Sequence, residues 1–449
     1  MPKELFGTDG VRGTPGQEPL DSNTLYWIGH ALGKRLRAEH KDVGVLIGMD
    51  TRESGLFIAG CVAQGLIAAG ASPIFAGVIT TPGIANLVRM GPYAAGIVVS
   101  ASHNPYTDNG VKLIAHSGMK FPDEFEAQLE AKILANRAGA VPSAEFEFGT
   151  EVVRTLDAQY LDYLRGRTLP GAKLAGMRIV LDCANGAASD LGPELFRSLG
   201  ADVIAIHNAP NGRNINDGCG SLHPETMMQK VVETRAALGV AFDGDADRAI
   251  FSSASGQRLD GDGILLAAAR YLKSAGQLKG DAIVGTTMAN LGLERALARE
   301  GLRLTRTPVG DRYVLEEMLR SGANLGGEQS GHIIFLDDSP TGDGLLTALK
   351  IASLVSLRGP LDELVTGLKV FPQTIVNVRV RSKPPLESLP AVAAALAEAE
   401  RALGAAGRIV LRYSGTEPLA RVMVEAERAE DVQRFSESIA AAIRATIGS

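Results

Sequence analysis

The sequence predicts an α/β chain built as three similar mixed α/β domains and a smaller C-terminal α+β domain. Three observations carry this. Short Val- and Ile-rich runs alternate with longer amphipathic segments along most of the length, the pattern of strands separated by helices. Fifty-two glycines and only 5% aromatic residues fit many tight strand–helix turns. At 449 residues the chain exceeds one ordinary hydrophobic core, and about 150 residues per domain suggests about three units.

Strands are predicted at Val43–Met49, Pro73–Val78, Ala95–Val99, Arg178–Asp182, Val203–His207, Gly239–Asp243 and Ala282–Gly285. Helices are predicted at Thr51–Gly70, Pro122–Arg137, Ala187–Gly200, Pro224–Leu238 and Gly261–Ala275. This alternation implies mostly parallel sheets covered on both faces. From Ser54 to Val88 there is no charged residue, but Gln64, Pro73 and several glycines interrupt the run. A buried helix, with Asp50 and Thr51 as capping candidates, followed by a buried strand explains it better than a membrane span.

Gly, Pro and Ser in the weakly periodic stretch 138–150 mark a boundary, and others fall near Ser253–Gln257 and Leu368–Gln373. The domains then run 1–150, 151–254, 255–369 and 370–449. The last reads strand Ile375–Arg381, helix Leu389–Leu403, strands Ile409–Tyr413 and Ala420–Glu425, and helix Ala429–Ile447. There is no solenoid-type repeat and no low-complexity tract.

Hydrophobic residues at 45% and charged residues at 21% argue against global disorder. A net charge of −6 gives no basic footprint, so neither nucleic acid nor an anionic membrane is an expected partner. An anionic substrate must be held by locally clustered Arg and Lys. Cys61, Cys183 and Cys219 are widely spaced without a CxxC pair, which suits a reducing compartment. Residues 1–7 lack a basic segment followed by an apolar one, so the expected location is the cytoplasm. Trp27 reads as packing, and His30, His40, His116, His207 and His223 as structural or surface residues.

Four loops carry candidate chemistry. The first, Ser100-Ala101-Ser102-His103-Asn104-Pro105, follows the strand Ala95–Val99, and strand ends are where ligands bind in open α/β sheets. Ser102 offers an oxygen nucleophile for a phosphoryl group. The same residues are common turn formers, and the GxSxG elbow of the α/β-hydrolases is absent. The second loop, Asp243-Gly244-Asp245-Ala246-Asp247-Arg248, sets three carboxylates at alternate positions after a strand. Three converging anions are costly without a cation, and an all-oxygen set suits Mg²⁺ or Mn²⁺. An EF-hand is excluded because Arg248 and Ala254 stand where Gly and Glu are required; a solvated acidic turn is the alternative.

The third loop, Gly326-Gly327-Glu328-Gln329-Ser330-Gly331-His332, gathers carboxylate, amide, hydroxyl and imidazole groups. They suit the hydrogen-bonding groups of a sugar, though a polar hairpin would look the same. The fourth is Arg412-Tyr413-Ser414-Gly415-Thr416-Glu417-Pro418, with Arg421 beyond it. Two arginines, two hydroxyls and the backbone N–H groups of a Gly-containing turn make a phosphate cradle.

Together, and in this order, the four loops resemble the α-D-phosphohexomutase superfamily, and within it the bacterial phosphoglucosamine mutases. The resemblance runs from Phe6-Gly7-Thr8-Asp9-Gly10-Val11-Arg12-Gly13 to the Arg412 loop. The Gly-Glu-Gln-Ser-Gly-His form of the third loop, with Gln329, is similar to the phosphoglucosamine branch. The resemblance implies four domains around a central cleft. It implies that Ser102 is a phosphoserine, that Asp243, Asp245 and Asp247 hold Mg²⁺ with a Ser102 phosphoryl oxygen, and that a hexosamine or hexose 1,6-bisphosphate is intermediate and activator. Arg12, His103, Lys112 and Arg248 then surround the phosphoserine, with Lys112 as candidate acid/base group and His332 assisting proton transfer. Glu328 and Ser330 match sugar contacts, and Arg412, Ser414, Gly415, Thr416 and Arg421 the grip on the phosphate that is not transferred.

The implied reaction is glucosamine 6-phosphate to glucosamine 1-phosphate, feeding UDP-N-acetylglucosamine and cell-wall precursor synthesis. The implied partner is a small sugar phosphate, and the chain a monomer or homodimer. Rival readings are a phosphoglucomutase or phosphomannomutase of the same mechanism, a metal-dependent sugar phosphatase, and a non-catalytic sugar-phosphate binder.

Overall fold

The computed structural model of the chain describes residues 4–7, 9–137, 146–414 and 418–449. In chain order its elements are β1 (Val11–Gly13), α1 (Ser22–Arg37), β2 (Gly44–Met49), α2 (Gly55–Ala68), β3 (Ser72–Val78), α3 (Thr81–Met90), β4 (Ala95–Val99), β5 (Asn109–Ala115), α4 (Asp123–Asn136), α5 (Val153–Arg165) and β6 (Arg178–Asp182). There follow α6 (Ala188–Ser198), β7 (Asp202–Ile206), α7 (Glu225–Thr234), β8 (Leu238–Phe242), β9 (Ala249–Ser253), β10 (Arg258–Leu259), α8 (Gly261–Ser274), β11 (Ala282–Thr286), α9 (Leu291–Arg299) and β12 (Arg303–Thr307). The last are α10 (Asp311–Ser321), β13 (Leu325–Gly327), β14 (Ile333–Phe335), α11 (Gly344–Arg358), α12 (Leu361–Leu364), β15 (Gln373–Arg379), α13 (Pro390–Leu403), β16 (Gly407–Tyr413), β17 (Leu419–Ala426) and α14 (Ala429–Ile447). The chain divides into two compact units, Met1–Val284 with Val309–Thr366, and Gly285–Pro308 with Gly367–Ser449.

The first unit repeats one sheet plan. Its first sheet has the order β1-β5-β4-β2-β3 and its second β10-β9-β8-β6-β7. In each, three strands run parallel (β2 with β3 and β4; β6 with β7 and β8) and the next two are antiparallel. A third sheet repeats the motif, with β11 parallel to β13 and β13 antiparallel to β14. The sheets are therefore mixed rather than mostly parallel. The cause is connection length: β4 reaches β5 through residues 100–108 and β8 reaches β9 through 243–248, too short for the crossover that parallel pairing needs.

The charge-free stretch folds as α2, β3 and α3, mostly buried, with Leu56, Phe57, Ile67 and Val78 exposed. Leu25, Ile28 and Leu32 of α1 and Ile58, Val62 and Leu66 of α2 pack on Val45, Ile47, Ile97 and Val99 of the first sheet. Each such side chain contributes about 1.5–3 kcal/mol. Helix α2 starts later than predicted because Asp50 does not cap it; its Oδ1 accepts the Arg52 N–H at 3.0 Å and shapes a turn instead. Helix α7 stops at Thr234, short of the predicted end, because Arg235 adopts a left-handed conformation. The second sheet continues beyond Ser253–Gln257, a hairpin turn, to β10. Part of the boundary stretch at 138–150 lies outside the described residues.

In the second unit, β15-β17-β16 form an antiparallel sheet, and Val392, Ala399, Phe435, Ile439 and Ile443 of α13 and α14 pack against it. Among the described residues no helix is long and apolar enough to cross a membrane.

Candidate active site

The nucleophile candidate sits just past the end of β4. Ser102 is 1% exposed and adopts a left-handed backbone with φ of 52°, rare for a residue with a Cβ. Its hydroxyl donates to Asp243 Oδ2 at 2.6 Å, 141 residues away in sequence. His103 Nδ1 lies 3.3 Å from Ser102 Oγ and 3.2 Å from an Arg248 guanidinium nitrogen. A guanidinium only donates, so Nδ1 faces it as an acceptor. Burial, with the charges of Arg248 and Arg12, pushes the His103 pKa down to about 4, which keeps the ring neutral.

The loop after β8 brings the second candidate set to the same place. Asp243, Asp245 and Asp247 each turn an oxygen inward, and these atoms lie within 4.8 Å of one another. Burial and the charges of Asp247 and Asp245 hold Asp243 well above the usual carboxylate range. Among the described residues, Asp245 Oδ1 and Asp247 Oδ1 are buried without a hydrogen-bond partner. Orphaned anionic oxygens converging on one point are what a hard divalent cation relieves, so the residues fit Mg²⁺. Asp245 is fixed from the first sheet: Thr81 at the start of α3 donates its hydroxyl to Oδ2 at 2.6 Å and its N–H to the backbone oxygen at 3.0 Å.

Asp182, His207 and Cys219 form another close group, but Asp182 is already occupied. It accepts the Ala184 N–H at 2.9 Å and the Gly220 N–H at 3.1 Å, with His207 Nδ1 2.9 Å away.

Strands β5 and β1 supply cations. Lys112, opposite Val98 on β4, is buried between Asp245 at 2.9 Å and Asp9 at 3.1 Å. Burial alone would lower its pKa, but Asp245 and Asp9 raise it above the usual lysine value. Lys112, the candidate acid/base group, is thus an ammonium ion here, a group that can neutralise charge and that carries a proton to give. Asp9 also binds Lys120 at 2.8 Å and pairs with Arg12. Burial opposes its ionisation, yet Lys112, Lys120 and Arg12 together hold its pKa well below the usual range. A cavity of about 220 Å³ adjoins these groups, lined by Thr81, Lys112, Lys120, Asp247, Asp311 and His332 among others.

In the third loop, between β13 and β14, Ser330 is exposed and Glu328 Oε1 accepts the Gly310 N–H at 3.0 Å. Gly331, with φ of 94°, lies so close to Ala249 that a Cβ would meet its carbonyl oxygen at 2.4 Å. The loop thereby rests on the first residue of β9. His332 is the residue expected to assist proton transfer. It is 3% exposed, its Nε2 accepts the Gly342 N–H at 3.0 Å, and its Nδ1 stands 3.6 Å from Asp247 Oδ2. Both ring nitrogens are thus turned to the protein, and the ring backs a carboxylate of the triplet.

In the second unit, Arg412 and Arg421 are direct cross-strand partners on β16 and β17. Like charges so placed repel; burial and the Arg421 charge lower the Arg412 pKa, and an anion would relieve both effects. Arg421 reaches Ser414 Oγ at 3.5 Å, while Lys383, not anticipated from sequence, donates to the Ser414 backbone oxygen at 2.8 Å. Gly415 and Thr416 lie outside the described residues. Sequence reasoning also missed Thr81 and Lys120 and gave Asp9 no role, although Asp9 stands inside the N-terminal motif.

Four family models match in chain order. They are the phosphoglucomutase/phosphomannomutase alpha/beta/alpha domains I over residues 3–139, II over 158–256 and III over 260–371, and the C-terminal domain over 375–442. A curated relative, the phosphoglucosamine mutase of Solibacter usitatus, is 55% identical over 449 residues, 100% of both chains. A solved phosphoglucomutase/phosphomannomutase family protein from Burkholderia thailandensis superposes with a TM-score of 0.79 at 25% identity, covering 99% of each chain. The fold is shared with an Aspergillus fumigatus N-acetylphosphoglucosamine mutase in complex with GlcNAc-6P and magnesium, at a TM-score of 0.64 and 19% identity over 99% of this chain and 96% of that one. With the relative matched end to end and every domain model in order, the chain belongs to the phosphoglucosamine mutase family of the phosphohexomutases.

Proposed function

We propose that this chain interconverts glucosamine 6-phosphate and glucosamine 1-phosphate through a phosphoserine at Ser102 and a bisphosphorylated sugar. One observation carries the site assignment: Ser102 Oγ lies 2.6 Å from Asp243 in a buried carboxylate triplet. In the first transfer a sugar hydroxyl bonds to the phosphorus on Ser102 and the phosphorus–Oγ bond breaks; the hydroxyl's proton passes in net to Ser102 Oγ, giving the bisphosphate and free serine. The sugar then turns, and Ser102 Oγ takes the other phosphoryl group. Such transfer rests on positioning and charge neutralisation more than on covalent help from the protein. Asp243, Asp245 and Asp247 would hold Mg²⁺, which supplies positive charge beside the phosphoryl oxygens.

The remaining roles belong to the protein's own groups. Arg12, Lys112 and Arg248 neutralise the phosphoryl group, and neutral His103 accepts from Arg248 and holds its guanidinium beside Ser102. Glu328 and Ser330 bind the sugar; His332 steadies Asp247. Arg412, Ser414, Gly415, Thr416 and Arg421 grip the phosphate that does not move. The domain boundaries proposed are 150, 254 and 369; the first falls in the gap between family models I and II, while models II and III end two residues past the other two, at 256 and 371.

The test is an NMR time course on glucosamine 6-phosphate with Mg²⁺ and a trace of hexose 1,6-bisphosphate. Glucosamine 1-phosphate should appear without accumulating inorganic phosphate. Inorganic phosphate alone would make the chain a phosphatase. Turnover of glucose or mannose phosphate only would keep the chemistry and change the sugar.

A further inference from the structure

The left-handed backbone of Ser102 has to be held by something, and the residues that hold it are not the ones that do the chemistry. The Ser102 carbonyl oxygen accepts from Arg52 Nη2 at 3.0 Å and from Asn216 Nδ2 at 2.9 Å. The same two nitrogens donate to the Asn104 carbonyl oxygen, at 2.8 and 3.0 Å. Two side chains thus clamp the carbonyls on either side of His103. On the other flank the Ser102 N–H donates to Ser100 Oγ at 2.9 Å, and Ser100 donates to Asp50 Oδ2 at 2.6 Å. Asp50 in turn sits 3.5 Å from Arg52 Nε. Arg52 and Asp50 are buried, so neither can exchange these partners for water.

Asn216 comes from elsewhere, the long connection between β7 and α7 of the second sheet. Its own φ is 58°, a conformation that Asn tolerates better than most residues. That connection is docked on the first sheet's loops at further points. The Glu53 N–H donates to the Gly212 oxygen at 3.0 Å and Arg213 pairs with Glu53 at 2.7 Å. The loop between β6 and α6 joins in: its Asn185 oxygen accepts from Thr51 Oγ1 of the first sheet at 2.5 Å, and its Ala184 oxygen accepts the Asn216 N–H at 2.9 Å. The carboxylate loop closes on the clamp as well: a Cβ at Gly244 would meet the Ser102 oxygen at 2.5 Å and Asn216 Nδ2 at 2.9 Å.

We propose that Arg52 and Asn216 are positioning residues: by clamping the Ser102 and Asn104 carbonyls they aim Ser102 Oγ at the carboxylate triplet, so two sheets jointly set the nucleophile. The proposal rests on the reading that Ser102 carries the phosphoryl group. It adds that transfer depends on an amide whose hydrogen bonds go to the Ser102 and Asn104 carbonyls and not to the Ser102 hydroxyl.

The experiment compares Asn216→Gly and Asn216→Asp with the parent chain. Gly keeps the left-handed backbone without the amide, and Asp keeps the shape but turns an acceptor toward two carbonyl oxygens. Three readouts are taken: kcat and KM for glucosamine 6-phosphate, the single-turnover rate of Ser102 phosphorylation by glucose 1,6-bisphosphate followed by mass spectrometry, and the thermal midpoint. Misaiming predicts that kcat and the phosphorylation rate fall together by about 10- to 100-fold, with KM unchanged and Asp the more impaired. A folded variant that keeps both rates within about twofold of the parent would overturn the proposal. So would failure of both variants to fold, because the role is then structural. If the parent itself takes no phosphate on Ser102, the underlying reading fails first, and that result is visible before any variant is compared.

Discussion

The first and second sheets share one plan but put it to different use. In each, the strand that begins the parallel set ends in an aspartate, Asp50 after β2 and Asp182 at the end of β6. Each accepts the N–H two residues on, from Arg52 and Ala184 respectively, at 3.0 and 2.9 Å. In the first sheet that aspartate goes on to hold Ser100 and Arg52, and through them the Ser102 loop. In the second it holds its own connection, through the Gly220 N–H and His207. The loop between the last parallel strand and the antiparallel one then carries a nucleophile in one sheet and three carboxylates in the other. A repeated backbone fixes where a functional loop projects; the few side chains on that loop decide what it does.

The sharpest way to break this contrast is Ser102→Ala. It leaves the carboxylate loop intact and should cost on the order of 10⁴-fold or more in turnover, measured by the NMR assay. Retained activity would remove the nucleophile from the first sheet. Asp245→Asn probes the second loop. Losing one charged ligand should weaken Mg²⁺ binding by about 100-fold by titration calorimetry, with phosphoryl transfer falling in parallel. Unchanged affinity would mean that the triplet is a structural acidic turn.

Arg421→Ala lies outside both loops and should divide the kinetics differently. Removing a charged hydrogen-bond donor to a spectator phosphate should raise KM by about 10- to 100-fold, through the about 1.5–3 kcal/mol such contacts carry. A fall in kcat alone would place Arg421 at the reacting centre.

The smallest effect concerns stability. Hydrogen bonding to Asp182 raises the His207 pKa above its ordinary value. A raised folded-state pKa contributes stability that is fully present below the unfolded histidine value of about 6.5 and is lost as pH rises through the folded value. The melting temperature should therefore decline slightly across that window, and His207→Gln should flatten the slope. An equal slope in both proteins would mean that the pairing in the second sheet is not ionic. With His207 almost one-third exposed on its side chain, the change should be small.

Much of the fold was legible because its signals are local. β4, β6 and α14 were located to the residue, since apolar alternation and flanking turn residues are properties of a few neighbours. The Ser102 and Asp243 loops were legible as polar strand-end loops, and the Glu328 loop only as a glycine-bracketed polar run. Helix α1 was passed over although Asp21 caps it by accepting the Asn23 and Thr24 N–H groups. The parallel reading of the sheets failed because strand direction depends on how the next connection closes, and apolar runs look alike in either direction. Thr81 could not be found from sequence, since its partner Asp245 is 164 residues away and its residue type is that of an ordinary helix start.

By itself the sequence determined the strand tips, the chemical groups on each loop and the family to which their order belongs. The tertiary structure decided which groups meet. It set Lys112 between Asp9 and Asp245, placed His332 behind Asp247, and brought Asn216 onto the Ser102 carbonyl from 114 residues away. Protonation and aim are set by neighbours within a few ångströms, and which residues become neighbours is fixed by register between strands and by the docking of loops.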